Sequence, residues 1–318
     1  MREWRYWTRN KLGILAGYLP AFNQAAQRKS SERLYIDLMA GSPTNRDKDT
    51  GEEFDGSARL ALSASPPFTR LAFCEKPDKA ATLETDLRPQ YPGRRFKVYP
   101  GDCNQTISQV LTDLAPWRWA PTFVFADQQA AEIHWETLVK LAAFRTGEWK
   151  AELWILMSPA MITKGVAGTN GAAFAARVDA LYGNRTWRRI QAARGSDRIN
   201  PEEYRDAMVN QLRWQLEQDL GYSVTARIPM NMPNNMPIYD MVFATDHPVG
   251  EKIMTHLYQT AAEREPGMIQ EAKARARRQR EDKAGMVPLF DMDPADIAID
   301  GIAWEPSPSW DPSARPWW

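Results

Sequence analysis

Five short apolar segments alternate with helix-like segments between residues 34 and 157, and this alternation is the strongest constraint on the fold. The apolar segments are rich in β-branched and aromatic residues, as buried strands are. Strands are predicted at 34–36, 70–74, 95–99, 122–126 and 152–157. Helices between them are predicted at 56–63, 78–87, 107–114 and 134–144. Because a helix that joins two neighbouring strands leaves them parallel, the pattern predicts an α/β fold with a mostly parallel sheet.

The segments outside this alternation are less regular. A helix is predicted at 11–22, and the polar segment 43–56 is predicted to be a surface loop. After residue 160 the pattern changes. A flexible glycine-rich loop is expected at 165–171, followed by a largely helical stretch at 172–220.

Two further strands are predicted near the end of the sheet region, at 222–228 and 239–245. They are close enough in sequence to form an antiparallel pair at the end of the sheet. A helix is predicted at 249–262. The tail, 291–318, is rich in Pro and Trp and has no helical period, so we expect an irregular segment whose aromatic residues pack on the domain.

The composition excludes several classes of protein. Lys plus Arg and Asp plus Glu number 40 each, so net charge does not make the whole chain a polyanion binder. The sequence has no apolar run of transmembrane length, and residues 1–10 lack the apolar core of a signal peptide. Cys74 and Cys103 suggest no disulfide framework, and the three histidines lack metal-ligand spacing. We therefore expect a cytoplasmic protein without a bound metal.

Acidic residues follow the first three predicted strands. Asp37 ends the first strand and precedes the small-residue turn Ala40-Gly41, while Glu75 and Asp102 follow the next two strands. The carboxyl ends of parallel strands meet at one edge of the sheet, where such folds bind ligands. Polar residues also end strands for structural reasons, but three acids in series favour a site. The sequence therefore predicts a nucleotide-like cofactor at this edge.

Several segments of the sheet region, roughly residues 8–262, carry a family resemblance. They are Lys11-Leu-Gly-Ile-Leu-Ala-Gly-Tyr-Leu, Tyr35-Ile-Asp-Leu-Met-Ala-Gly-Ser-Pro, Gly101-Asp-Cys-Asn, Phe123-Val-Phe-Ala-Asp, Glu152-Leu-Trp-Ile-Leu-Met and Tyr239-Asp-Met-Val-Phe-Ala-Thr. In this order and spacing, the chain resembles the three-Cys-motif partner (TcmP) family of class I S-adenosylmethionine-dependent methyltransferases. The resemblance implies a Rossmann-like sheet of seven strands with a terminal antiparallel pair.

The resemblance also implies how S-adenosylmethionine would be held. Asp37 would face its methionine moiety beside the turn formed by Ala40 and Gly41. Glu75 would accept hydrogen bonds from both ribose hydroxyls. Asp102 would accept one from the adenine amine, with Cys103 lining the ring as a small apolar residue.

The end of the fourth strand is where the resemblance places the methyl acceptor. Asp127 is the candidate for contact with the substrate or for a general base, and Gln128 is a candidate for hydrogen bonding to the substrate. An alternative for Asp127 is a structural cap of the following helix. The family tends to have Asp-Pro-Phe-Gly here, whereas this chain has Asp127-Gln128-Gln129-Ala130.

The first turn departs from the family pattern as well. Leu38 and Pro43 stand where the family has glycine, and neither residue readily adopts a positive φ. We therefore expect a reshaped turn or weakened cofactor binding. Together with the change after Asp127, this leaves two functions open. One is a methyltransferase acting on a nucleic acid or protein, and the other is a binding or scaffold subunit that has lost its chemistry.

By the same resemblance, the chain would work with a partner protein that carries three cysteines and is of radical-cofactor type, in a phage- or defence-related system. Its parts would be a cofactor-binding Rossmann-like half, a helical insertion rich in Arg and Trp, the last strands and helix of the sheet, and a basic helix with the tail. These parts are predicted at 1–160, 161–221, 222–262 and 263–318.

Two basic clusters open a third possibility, which is nucleic-acid binding through phosphate contacts and base stacking. The alternative is that each is a solvated helix face balanced by nearby acids. The first cluster contains Arg185, Arg188 and Arg189 beside Trp187, and the second contains Lys273, Arg275, Arg277 and Arg278.

Overall fold

The computed structural model describes residues 2–4, 6–48, 50–232, 234, 236–284 and 303–315. Within these residues, no helix is long and apolar enough to span a membrane. The strands are β1 (Arg2–Trp4), β2 (Leu34–Asp37), β3 (Thr44–Asp47), β4 (Glu53–Asp55), β5 (Arg70–Glu75), β6 (Phe96–Pro100), β7 (Thr122–Ala126), β8 (Glu152–Met157), β9 (Val224–Asn231) and β10 (Pro237–Thr245). The helices are α1 (Tyr6–Gln27), α2 (Ser57–Ser63), α3 (Pro77–Leu87), α4 (Cys103–Leu114), α5 (Trp135–Ala142), α6 (Pro159–Val166), α7 (Gly171–Tyr182), α8 (Trp187–Gly195), α9 (Pro201–Gln218) and α10 (Pro248–Ala284).

Seven strands form the main sheet in the order β6-β5-β2-β7-β8-β10-β9. The first five are mutually parallel, and β10 runs antiparallel to both β8 and β9. The pairing is in register across the centre of the sheet, where Ile36 lies opposite Ala72 and Val124. The predicted α/β fold, with a mostly parallel seven-stranded sheet and a terminal antiparallel pair, is therefore confirmed.

Helices cover both faces of the sheet, so neighbouring residues of a strand enter different cores. Leu34 and Ile36 pack in the core that contains α4 to α9, whereas Tyr35 packs in the core that contains α1, α2, α3 and the first half of α10. Tyr18 of α1 and Phe123 of β7 meet there with ring centroids 5.1 Å apart. A sheet buried on both faces explains why its strands are continuous apolar runs.

The predicted loop at 43–56 instead contains two short strands. β3 pairs with β4 in antiparallel orientation and with β1 in parallel orientation, which makes a second sheet of three strands. Nη1 of Arg9 in α1 lies 2.9 Å from Oε2 of Glu52, near the turn of this hairpin. The loop prediction was wrong because these strands are three or four residues long and mostly polar, so they show no apolar alternation.

The predicted glycine-rich loop at 165–171 was also largely wrong. α6 continues through Gly165, and α7 already begins at Gly171. A Cβ atom on Gly171 would lie 2.1 Å from the carbonyl oxygen of Val166, and one on Gly165 would lie 2.4 Å from the ring of Phe174. These glycines therefore permit close packing between two helices.

The described part of the tail packs on the sheet domain, as expected for its aromatic residues. The indole N–H of Trp304 donates to the carbonyl oxygen of Arg227 over 2.9 Å. The amide side chain of Asn210 in α9 donates to the main-chain oxygen of Trp310 and accepts from its N–H, over 2.7 and 3.0 Å. The remainder of the tail, 291–302 and 316–318, lies outside the described residues.

Candidate functional site

The turn after β2 is tied to the end of β5. Gly41 has a φ of 65°, and its N–H donates to Oε2 of Glu75 over 2.6 Å. One residue earlier, the N–H of Ala40 donates to the carbonyl oxygen of Cys74 over 3.0 Å. The predicted cofactor residues Ala40, Gly41 and Glu75 are therefore brought together at the carboxyl edge of the sheet.

The turn after β2 closes without glycine at positions 38 and 43. Neither Leu38 nor Pro43 has a positive φ; within this turn, Gly41 alone does. Leu38 is buried, and its N–H donates to the carbonyl oxygen of Phe125 in the neighbouring strand. Both residues therefore fit this turn without backbone strain, and the effect on cofactor affinity remains a prediction.

Glu75 can still accept hydrogen bonds beyond those it makes within the protein. Its two carboxylate oxygens accept from the N–H groups of Gly41 and Lys76, over 2.6 and 2.8 Å. Each carboxylate oxygen has two lone pairs, so one site on each oxygen remains for a hydroxyl donor. The side chain is fixed by the protein, and this suits it to recognise a pair of neighbouring hydroxyls.

Asp37 lies beneath the turn and is completely buried. It accepts hydrogen bonds from the Tyr35 hydroxyl and from the N–H of Met39, both over 3.1 Å. Burial raises the pKa of Asp37 to about 7 because desolvation disfavours the charged carboxylate. Asp37 thus supports the turn from inside, and direct contact with a methionine moiety stays a prediction.

Asp102 and Cys103 lie at the start of α4. Asp102 is exposed, and its Oδ1 caps α4 by accepting from the N–H of Asn104 over 2.8 Å. The same Asn104 accepts from the N–H of His134, which links α4 to the segment after β7. Cys103 is buried, and desolvation raises the pKa of its thiol to about 12, so it provides a neutral apolar wall.

Asp127, directly after β7, is paired with a lysine that the sequence analysis did not single out. Nζ of Lys11 in α1 lies 2.5 Å from both carboxylate oxygens of Asp127. The Lys11 side chain is only 4% exposed, whereas the Asp127 side chain is 30% exposed. The capping alternative for Asp127 is not what the structure shows, because His134 is the N-cap of α5. A lysine among the apolar residues of a predicted helix was the signal that could have identified Lys11.

Gln128 is buried, and both ends of its amide are bonded within the protein. Its Nε2 donates to the carbonyl oxygen of Leu156 over 3.0 Å, and its Oε1 accepts from the N–H groups of Glu132 and Ile133. Gln128 therefore holds the loop after β7 in place from inside the protein. Its predicted contact with substrate has no support in this geometry.

The two predicted basic clusters differ in how their charges are used. Trp187 is buried, and its indole N–H donates to Asp179, so it is not available for base stacking. Asp179 also pairs with Arg185 and with Arg188, while Arg189 is exposed. The second cluster lies in the last turns of α10. There, Lys273, Arg277 and Arg278 are exposed, and Arg275 pairs with Glu271 over 2.9 Å.

The residues at the edge of β2, β5 and β6 fit the groups of S-adenosylmethionine. The Cβ position of Gly41 is open, since its nearest neighbour is the carbonyl oxygen of Met39 at 3.9 Å. Glu75 has hydrogen-bonding capacity for ribose hydroxyls, and the exposed carboxylate of Asp102 can be reached by an amine. Asp127 stands next along the same edge, where an acceptor can meet a cofactor.

No protein-family model and no curated protein matches the chain. Among solved structures, it is similar to a DUF519-family protein from Legionella pneumophila, with 11% identity, a TM-score of 0.48, and coverage of 79% of this chain and 92% of that one. It is also similar to TYW2 from M. jannaschii in complex with AdoMet, with 11% identity, a TM-score of 0.34, and coverage of 72% and 75%. A dimethyladenosine transferase from Plasmodium falciparum shows 9% identity, a TM-score of 0.36, and coverage of 87% and 83%.

Proposed function

We propose that this protein is an S-adenosylmethionine-dependent methyltransferase of the three-Cys-motif partner type that acts on a macromolecular substrate. The observation that carries the proposal is the hydrogen bond of 2.6 Å between the Gly41 N–H and the Glu75 carboxylate. It joins the small-residue turn after β2 to the acid that ends β5. These are the two parts that a nucleoside cofactor needs to meet at the edge of the sheet.

The cofactor would supply a methyl group on a positively charged sulfur, and the protein would supply position. Glu75 would fix the ribose, Asp102 would orient the adenine, and the turn at Ala40-Gly41 would bring main-chain groups close to the ligand. Because methyl transfer is an in-line displacement, holding the two reactants at near-attack distance is a large part of the catalytic task.

The Asp127–Lys11 pair supports the acceptor side of this proposal. The partly exposed carboxylate of Asp127 can accept a hydrogen bond from a target N–H or O–H and so orient its lone pair toward the methyl group. Lys11 contacts both oxygens of Asp127, and its Nζ lies 5.4 Å from the centre of the Tyr239 ring. The lysine would therefore fix the carboxylate in one orientation, as a positioning residue.

Titration calorimetry with S-adenosylmethionine tests the cofactor site. Glu75→Gln should weaken binding by at least about tenfold, because it loses acceptor capacity for the ribose hydroxyls. Glu32→Gln is the matched control, since Glu32 pairs with Arg70 at the opposite edge of the sheet. Thermal unfolding of both variants checks that the fold is intact. No binding by the wild-type protein at millimolar cofactor would reject the enzyme proposal and leave a binding subunit with a methyltransferase fold.

The proposed partner is a protein with three cysteines of radical-cofactor type, and the proposed setting is a phage- or defence-related system. Support for both comes from the sequence resemblance. Co-expression with such a protein, followed by affinity purification through this chain, tests the partnership. Recovery of a stable complex is expected, and its absence in the presence of cofactor would reject this part of the proposal.

A further inference from the structure

The second half of α10 carries a cationic surface that nothing in the proposed chemistry uses. From Glu271 to Arg278 it contains four cationic side chains and one anionic side chain. Lys273, Arg277 and Arg278 are exposed, and Ala272 faces inward. We call this segment, residues 267–278, the basic arm.

The basic arm is anchored to the end of α1 that leads to the candidate site. Ile269 and Ala272 of the arm form a small buried cluster with Tyr6, and Trp7 packs against it. Two contacts just before the arm reinforce this docking. Arg264 donates to Oδ1 of Asn10 over 2.6 Å, and Glu265 accepts from the N–H and the side-chain amide of Asn231.

A short series of contacts connects the anchor to Asp127. The hydroxyl of Tyr239 donates to the main-chain oxygen of Trp7 over 3.3 Å. The ring of Tyr239 lies 5.4 Å from Nζ of Lys11, which pairs with Asp127. The arm therefore packs on the first turn of α1, the helix whose Lys11 pairs with Asp127.

The chemistry of the arm's outer surface favours a polyanion over a protein surface. Its exposed side chains, those of Glu271, Lys273, Arg277 and Arg278, are charged, and its apolar residues Ile269 and Ala272 are buried against the domain. The cores of protein–protein interfaces are depleted in charge and rich in aromatic residues. The exposed surface of the basic arm is charged and has no aromatic side chain among the described residues. Lys273 and Arg277 are one helical turn apart, with Cβ atoms about 5–6 Å from each other. A row of cations at that spacing suits a phosphate backbone.

We propose that the basic arm binds the phosphate backbone of a nucleic acid and thereby presents a base of that strand to the Asp127 site. This inference rests on the proposed function, because it names the substrate class of the same site. The arm supplies affinity without sequence preference, while the site next to Lys11 supplies the chemistry.

Fluorescence anisotropy of the full chain with labelled single-stranded RNA, single-stranded DNA and duplex DNA tests the arm. The variant Lys273→Ala/Arg277→Ala/Arg278→Ala removes three cations from it. The control Arg28→Ala/Lys29→Ala/Lys252→Ala removes three exposed cations near the opposite edge of the sheet. Both variants therefore have the same net charge.

The arm variant should reduce the slope of log Kd against log salt concentration by about 2 for a single strand, because three phosphate contacts are lost. At low salt this corresponds to a loss of affinity of roughly 20-fold or more, while the control should stay within about threefold of the wild type. Equal losses in both variants, or no binding by the wild type, would overturn the inference.

Calorimetry with S-adenosylmethionine on the same variants separates this inference from the proposed function. The arm variant should bind the cofactor as the wild type does, because its substitutions lie outside the turn and the acids. Suppose that neither the wild type nor either variant binds the cofactor, and that only the arm variant loses nucleic-acid affinity. The methyltransferase proposal then fails, and the proposal that the arm binds nucleic acid is retained. If cofactor binding is intact and nucleic-acid binding is unaffected in the arm variant, the arm proposal fails.

Discussion

Two buried carboxylates at opposite edges of the sheet look alike in their electrostatics and differ in their surroundings. Asp37 ends β2, and Glu152 begins β8. Both are buried, and in both cases burial is the largest cause of a pKa raised to about 7. Asp37 supports a turn that contacts Glu75, whereas Glu152 accepts from the hydroxyls of Tyr18 and Thr245 inside the core.

The comparison shows that a raised pKa does not by itself mark a ligand site. Near Asp37, the turn has an open Cβ position at Gly41 and acids with hydrogen-bonding capacity to spare. Near Glu152, the helix that follows β10 closes the space, since a Cβ atom on Gly250 would lie 2.2 Å from Oε1 of Glu152. Asp37 therefore supports a surface that can receive a ligand, whereas Glu152 joins α1, β8 and β10.

The largest expected effect is the contribution of Asp37 and Glu152 to the pH dependence of the free energy of unfolding. The folded protein holds a proton on each group up to about pH 7, while the unfolded chain loses it near 3.8 for Asp37 and 4.5 for Glu152. Each group therefore contributes stability that is full below the unfolded pKa and is lost as pH rises through 7. Relative to Asp37→Asn or Glu152→Gln, the wild type should lose on the order of 3 kcal/mol over this window.

Urea denaturation across this pH range, with each variant beside the wild type, measures the difference. The amide variants stay neutral at all pH values, so their stability should approach or exceed that of the wild type at high pH. A difference that is independent of pH at either position would show that the carboxylate there is ionised in the folded state.

Glu152→Ala should destabilise the protein by about 3 kcal/mol at low pH, where the carboxyl group is neutral in both states. The substitution leaves the hydroxyls of Tyr18 and Thr245 without their partner and opens a cavity between α1 and the sheet. Its cofactor affinity should remain that of the wild type. Urea unfolding and calorimetry measure the two quantities, and a variant that loses affinity without losing stability would reverse the roles assigned to the two edges.

Alanine substitutions at Gly41 and Gly250 should also distinguish the edge near Asp37 from the edge near Glu152. Gly250→Ala forces its Cβ against the Glu152 carboxylate and should cost about 2 kcal/mol of stability. Gly41→Ala meets open space but must adopt a φ of 65°, which costs about 1 kcal/mol. Only Gly41→Ala should weaken cofactor binding. Equal affinities for the two variants would contradict the assignment of the turn to the cofactor.

The sequence predicted the sheet well because strand and helix periods are local properties. Asp37, Glu75, Asp102 and Asp127 could be placed at one edge because the ends of parallel strands share that edge. Other parts depend on contacts between distant residues. Lys11 reaches Asp127 across 116 positions, which a helical pattern around residue 11 does not reveal.

Gln128 shows the opposite error, where proximity to the site suggested chemistry. Its side chain turns inward to three main-chain groups, and nothing in the local sequence specifies that direction. The small sheet of β1, β3 and β4 was missed for a related reason. β1 pairs with β3 more than 40 residues away, and β3 and β4 are short polar strands with little apolar pattern of their own.

The smallest expected effect is a change in the titration of Asp37 on cofactor binding. S-adenosylmethionine carries a sulfonium and an ammonium charge, and a cation near a carboxylate lowers its pKa. Saturating cofactor should therefore shift the pH window of the difference between wild type and Asp37→Asn toward lower pH. The window for Glu152→Gln should not move, because Glu152 lies at the far edge. Urea unfolding with and without cofactor measures both windows. Because a global stabilisation by the ligand cancels in each difference, an equal shift at both positions would contradict the placement of the cofactor beside Asp37, and a shift at Glu152 alone would place it at the other edge of the sheet.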